Sequence, residues 1–243
     1  LVGKNVTLIL TNGLTVKAAS KVNAVTIAGS VAYGGSKSAG VGINTIIHNS
    51  RVYAGIGEGS KVTGANNGAC GGDVTISASG ELDLTSILVA AAVSSSRSNS
   101  NGTQLAGEGV INIFVNGNSV TAEVGPNVTI HTNGNIIVTA KSILGYTGIT
   151  GGIAASGGHG IGASVSVIVV NTNTLAQIGN NVTITAGGNL TVSADSKETI
   201  VAVIVNGAAA TGNNGVAVAV SPAVNVIKGS TIARVGTGTY NVH

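Results

Sequence analysis

The stretch from Val110 to Gly125, VINIFVNGNSVTAEVG, occurs in related form three more times in the chain. It aligns without a gap with Gly42 to Gly57 (GINTIIHNSRVYAGIG), Ser164 to Gly179 (SVSVIVVNTNTLAQIG) and Ser221 to Gly236 (SPAVNVIKGSTIARVG). Ala54, Ala122, Ala176 and Ala233 share one column, and Ile56, Val124, Ile178 and Val235 share another. Between them stand Gly55, Glu123, Gln177 and Arg234, read here as an outward column free to vary. A small apolar residue, a variable one and a large apolar one in succession is the period of two of a strand that buries one face.

A second block follows each closing glycine: NVTLILTNGLTV after Gly3, PNVTIHTNGNIIV after Gly125 and NNVTITAGGNLTV after Gly179. The phase markers Gly3, Gly57, Gly125, Gly179 and Gly236 are separated by 54, 68, 54 and 57 residues. The chain therefore divides into units at about 3–56, 57–124, 125–178 and 179–235, within a single segment spanning 1–243. The excess of the second unit is placed as an insertion over about 58–71. The chain opens on Leu1-Val2-Gly3-Lys4 and stops inside a repeat, which predicts a slice of a longer array.

Each unit reads as a short strand such as Val182–Thr185, a turn at Gly187-Gly188-Asn189, and a second strand over Leu190–Ala194. An apolar run, a Gly/Ser/Asn segment and a further apolar run then lead back to the closing glycine. Corner Asn and Gly supply positive φ and side-chain hydrogen bonds to the turn backbone. Short elements, small turns and a long fixed period predict an all-β fold, a parallel β-helix or β-solenoid. At common rung sizes a 54-residue unit holds two to three rungs. Ten to thirteen rungs about 4.8 Å apart would make a rod about 50–60 Å long.

Composition agrees and excludes other classes. Glycine is 38 of 243 residues, Met and Trp are absent and Phe occurs once, so little favours helix. Charged residues are 8% with a net charge of +3, and no Lys/Arg cluster exists to neutralise phosphates, so no nucleic-acid partner is expected. No apolar run is long enough for a transmembrane helix. Cys70 is the only cysteine and cannot form an internal disulfide.

The stretches GVAVAVSPAVNVIKGSTIARVG, VSVIVVNTNTLAQIGNNVTITAGGNLTVSA and INIFVNGNSVTAEVGPNVTI resemble the repeats of bacterial filamentous haemagglutinin-type surface proteins, above all leukotoxin-like filamentous adhesins and related autotransporter passengers. The resemblance covers nearly the whole chain. It implies a right-handed coil, export across the outer membrane and a rigid stalk or adhesive fibre at the bacterial surface. It carries over no catalytic or binding residue.

Parallel β-helices also host polysaccharide lyases and hydrolases, whose acid/base chemistry needs converging carboxylates. The eight here are Glu58, Asp73, Glu81, Asp83, Glu108, Glu123, Asp195 and Glu198, and no repeat column holds two of them. Glu81 and Asp83 share a strand face but align with Asn135 and Ile137. His48, His131, His159 and His243 do not recur at one phase and lack ligand-like spacing, so no metal or other cofactor is expected. Three of the five Asn-X-Thr sequons, at Asn5, Asn127 and Asn181, occupy one repeat position, which turn chemistry explains.

In solenoids, departures from the repeat emerge as loops that carry recognition. The candidate interaction residues are therefore Glu58, Lys61, Asn66, Asn67 and Cys70 in the insertion, with Arg97, Asn99 and Asn101 in the polar loop that follows. The expected function is a non-enzymatic stalk or adhesive segment. Its expected partners are host-cell or matrix glycans and proteins, or like chains meeting end to end or laterally. The alternatives are a polysaccharide-cleaving enzyme and a purely structural spacer.

Overall fold

A computed structural model describes residues 1–95 and 104–243. Among them the chain forms a parallel β-solenoid of fourteen strands with no α-helix. The first turn comprises β1 (Thr7–Ile9), β2 (Leu14–Gly34) and β3 (Lys37–Ile56). The second comprises β4 (Lys61–Thr63), β5 (Val74–Ser94) and β6 (Leu105–Val124), and the third β7 (Thr129–Thr132), β8 (Ile136–Ser156) and β9 (His159–Ile178). In the fourth, β10 (Val182–Ala186) and β11 (Leu190–Ala210) lead to β12 (Ala217–Val220) and β13 (Ala223–Val235), after which β14 (Gly238–Val242) begins another turn.

Equivalent strands stack in register. A short sheet has the order β1-β4-β7-β10-β14, a first long sheet β2-β5-β8-β11, and a second long sheet β3-β6-β9 followed by β12 and β13. Ala54 pairs with Ala122, Ala122 with Ala176, and Ala233 with Ala176, as the repeat columns require. The first three are fully buried, as are Ile56 and Val124.

One repeat makes one turn, not two to three. Neighbouring strands in the third and fourth turns pair residues 54 apart, such as Ile136 with Leu190. The first expected short strand of each unit stands alone, as β10 does, while the second and the apolar run after it form one strand of 21 residues. The polar stretch Asp195–Glu198 keeps the alternation and pairs without interruption against Lys141–Leu144, so it does not end β11. Four turns about 4.8 Å apart stack to only about 20 Å, while a strand of this length spans about 65 Å. The molecule is thus a flat slab rather than the expected rod.

Both long sheets meet the short sheet at one end, the base, and are joined at the other, the tip, by the connections after Gly34, Ser94, Ser156 and Ala210. The principal core fills the base, where three sheets enclose Ile76, Val124, Ile130, Ile136, Ile178 and Ile184. Midway, Phe114 stacks on Tyr146 with ring centroids 4.2 Å apart, beside Leu82, Leu84 and Leu144. Toward the tip the interior narrows to Ala92, Ala106 and Ala154. Burying an Ile or Leu contributes roughly 1.5–3 kcal/mol and Ala far less, so apolar stabilisation declines from base to tip.

The excess of the second unit is divided, which corrects the single insertion expected at 58–71. Partners differ by 54 at Thr7↔Lys61, by 60 at Leu14↔Val74 and by 68 at Lys37↔Leu105. Six extra residues therefore lie in the base corner between β4 and β5, and eight in the tip connection between β5 and β6. Lys61 is not inserted at all. It opens β4, the counterpart of β1 and β7. A lone strand of three residues gave too short a pattern to align.

Candidate interaction surface

The base corner between β4 and β5 holds Asn66, Asn67 and Cys70 of the expected interaction residues, with Lys61 beside it at the start of β4. A 3-10 turn, Ala65–Asn67, is closed by the Gly68 N–H donating to Ala65 O at 2.9 Å and the Gly64 N–H donating to Gly68 O at 2.7 Å. Asn66 and Asn67 take left-handed φ values of 53° and 59°. Lys61 Nζ donates to Asn67 Oδ1 at 2.7 Å, and the Asn67 carbonyl lies 3.2 Å from His131 Nδ1. Glu58 sits a corner away, ion-paired to Lys4 at 3.0 Å.

Cys70 does not join this surface. Its side chain is fully buried in the base core and its backbone bridges to Thr132. A thiol packs as a small apolar group, so the repeat phase turned it inward. Arg97, Asn99 and Asn101 lie outside the described residues.

Sequence reasoning missed a second surface. On the outer face of the second long sheet, the column read as free to vary is a hydrogen-bonded chain across the turns. Arg234 Nε donates to Gln177 Oε1 at 2.8 Å, and Gln177 Nε2 donates to Glu123 Oε1 at 2.7 Å. Tyr53 reaches past Gly55 and donates to Glu123 Oε2 at 2.8 Å. Partial burial and the Glu123 carboxylate push the Tyr53 phenol up to about 12. Four dissimilar residues in one column were the available signal. In a stacked coil such residues are nearest neighbours, so difference can mean pairing.

Beside this ladder lies a shallow trough of about 410 Å³, lined by Asn49, Arg51, Asn118, Ser119, Asn171 and Asn173 around Gly117. Register places Asn49, Gly117 and Asn171 in one column and Arg51, Ser119 and Asn173 in the next. The missing side chain at Gly117 makes the depression, since a Cβ there would stand 2.5 Å from Asn49 Oδ1. Carboxamides, hydroxyls and one guanidinium offer both donors and acceptors, the groups that recognise neutral or acidic sugars.

The carboxylates remain apart. Glu81 is paired to Lys21 at 2.8 Å, and the neighbours of Asp83 across the sheet are Asn23 and Gly145. Asp195 neighbours Lys141. His48 points inward on the first turn, where burial lowers its pKa, while His159 opens β9 at the tip. Among the described residues no three His, Cys, Asp or Glu side chains gather in a metal-holding group, and no helix is long and apolar enough to cross a membrane.

Compared with family models, curated proteins and solved structures, the chain has no match.

Proposed function

We propose that this chain is a stiff stalk or adhesive segment of a secreted or surface-exposed bacterial filamentous adhesin. The observation that carries the reading is the polar trough on the second long sheet, held on strands continuously hydrogen-bonded across four turns. A trough on such a scaffold is preorganised, so little conformational entropy is lost when a ligand orders it. Its amide and guanidinium groups fit a host-cell or matrix glycan. The Lys61–Asn67–His131 corner is a separate candidate contact on the short sheet.

The test is a glycan and matrix-protein array probed with the chain and with variants. Arg51→Ala and Asn173→Ala are expected to reduce glycan binding about tenfold each, in line with loss of a charge-assisted or buried hydrogen bond. Deleting residues 64–69 is expected to leave it unchanged. Binding lost only with 64–69 would move recognition to the base corner. No binding by any form would leave the chain as a spacer between adhesive regions.

A further inference from the structure

In the tip half of the slab the interior mixes small polar side chains with Leu88, Ala90 and Val110, and the outside becomes apolar. The interior positions carry Ser30, Ser38, Ser86, Asn112 and Ser164, and the hydroxyls of Ser30, Ser38 and Ser164 are buried without a hydrogen-bond partner. The outer positions are mostly apolar, with Val and Ile interspersed with Gly, Ala and Thr. On the first long sheet, Ile27, Ile87, Ile149 and Val203 form one outward column. On the second, Ile47, Val115, Val169 and Val226 form another. Ile27 is 75% exposed, Ile47 66% and Val31 85%. No outward charged side chain interrupts either band between Val25 and Tyr33 or between Ala39 and Ile47, nor at their partners in later turns, where Glu108 points inward.

Each band covers about ten residues on four strands, about 33 by 19 Å, or roughly 600 Å². That is at the upper end of the largest apolar patch on an ordinary monomer, and here there are two, back to back. Joining two such bands would bury about 1,200 Å², the lower bound of a specific interface.

We propose that the occupant is a second copy of this chain, with the first long sheet of one molecule packed on the second long sheet of the next. Two observations select this arrangement. The bands begin at the same tip, have the same depth and cross the same four turns, so they superpose. The bordering column on the first sheet carries Asp83 as its charged residue, and the one on the second carries Lys228. Pairing unlike sheets brings these columns together, whereas pairing two second sheets tip to tip brings Lys228 of each copy to the first-turn edge that carries Arg51, with no acidic residue in either column. Because the contact joins unlike faces it does not close, and it generates a lateral stack. This deepens the self-association part of the proposed function and does not depend on glycan binding.

Sedimentation velocity on the whole chain tests it. The wild type is expected to grow with concentration from 23.4 kDa into a ladder of multiples. Ile149→Lys blocks the first face and Ile111→Lys the second, so each alone is expected to stay monomeric. Mixed in equal amounts, they are expected to form a dimer through the two intact faces and to stop there. Thr139→Lys, outward on the base half of the first sheet, is expected to assemble like the wild type. If either blocking variant lowers the denaturation midpoint, Ile27→Lys and Ile43→Lys place the same charge on the same faces at the first turn, where the side chains are 75% and 63% exposed. A monomeric wild type overturns the proposal. So does assembly of both blocked variants like the wild type, which would place the contact at the strand edges. A dimer from one blocked variant alone means like-face pairing and overturns the arrangement. Wild-type binding to phosphatidylcholine vesicles that both variants lose, without protein ladders, assigns the bands to lipid instead.

Discussion

Single residues show how closely this coil is fitted. Glu108 is an interior residue of β6, only 5% exposed, with Gly40 and Gly162 as its partners on either side. A Cβ on Gly152 of the facing sheet would stand 1.9 Å from the Glu108 Cδ, so that glycine makes room for the carboxyl group. Burial raises the pKa of Glu108 above its ordinary value, against the smaller opposing effect of the Ala163 backbone. The folded state therefore holds this proton more tightly than the unfolded state. The benefit is complete below the usual Glu range and is lost as pH rises through the raised value. Glu108→Gln is expected to be more stable than the wild type at about pH 7, with little difference at about pH 4. Urea midpoints at the two pH values measure this, and equal gains at both would remove burial of charge as the cause. Tyr53 gives a second titration. Its phenol is expected to ionise near 12 in the wild type and at lower pH in Glu123→Gln, because the substitution removes the carboxylate beside it. Ultraviolet difference absorbance reads the shift.

At the scale of elements, corners and strands divide the work. Asn5, Asn127 and Asn181 occupy the same corner in successive turns with φ between 55° and 58°, and Gly59 takes that corner in the second turn with φ of 69°. A left-handed residue costs about 1–2 kcal/mol unless it is Gly or a short polar residue that bonds locally. Asn127→Gly is accordingly expected to fold with nearly wild-type stability, while Asn127→Ala loses about 1 kcal/mol. A chemical denaturation series decides, and equal losses would mean that the Asn side chain, not the backbone, holds the corner. This geometry accounts for the recurrence of the Asn-X-Thr pattern, as the repeat position indicated. The strands follow a different rule. Outward charged residues such as Lys17, Lys21, Lys141 and Lys197 are confined to the base halves of β2, β8 and β11, over the principal core. The tip halves become apolar outside and smaller inside without changing period, which is why each strand continues across the change.

At the scale of the whole molecule, the slab has a base that folds around an ordinary core and a tip that places apolar surface outside. A free tip of this kind is unfavourable in water, because burying apolar surface is the dominant gain in association. The expected ladder of lateral oligomers is the molecular consequence, and its suppression by a charge on either face is the check. The long sheets also end in strands with an unpaired edge, β2 and β3 on one side and β11 with β12 and β13 on the other. Such edges can template further strands, so the charge variants are needed to separate stacking through faces from stacking through edges.

Sequence alone determined the strand period, the repeat columns, the corner residues and the parallel stacking, because each depends on a local alternation or on identity at a fixed spacing. Ala54, Ala122 and Ala176 were legible as inward neighbours before any coordinates, and so was the polar outward column at Glu123 and Gln177. Only the tertiary structure decided that one repeat closes one turn. Alternation of side chains repeats every two residues and carries no signal for where a strand bends, so strands of ten and of twenty residues look alike. The same blindness hid the apolar outer face at the tip: Ile27 and Ala28 alternate just as Val16 and Lys17 do, and only the position of the facing sheet says which of each pair is inside. Ladder partners such as Tyr53 and Glu123, 70 residues apart in sequence, meet only when the coil fixes which turn lies beside which.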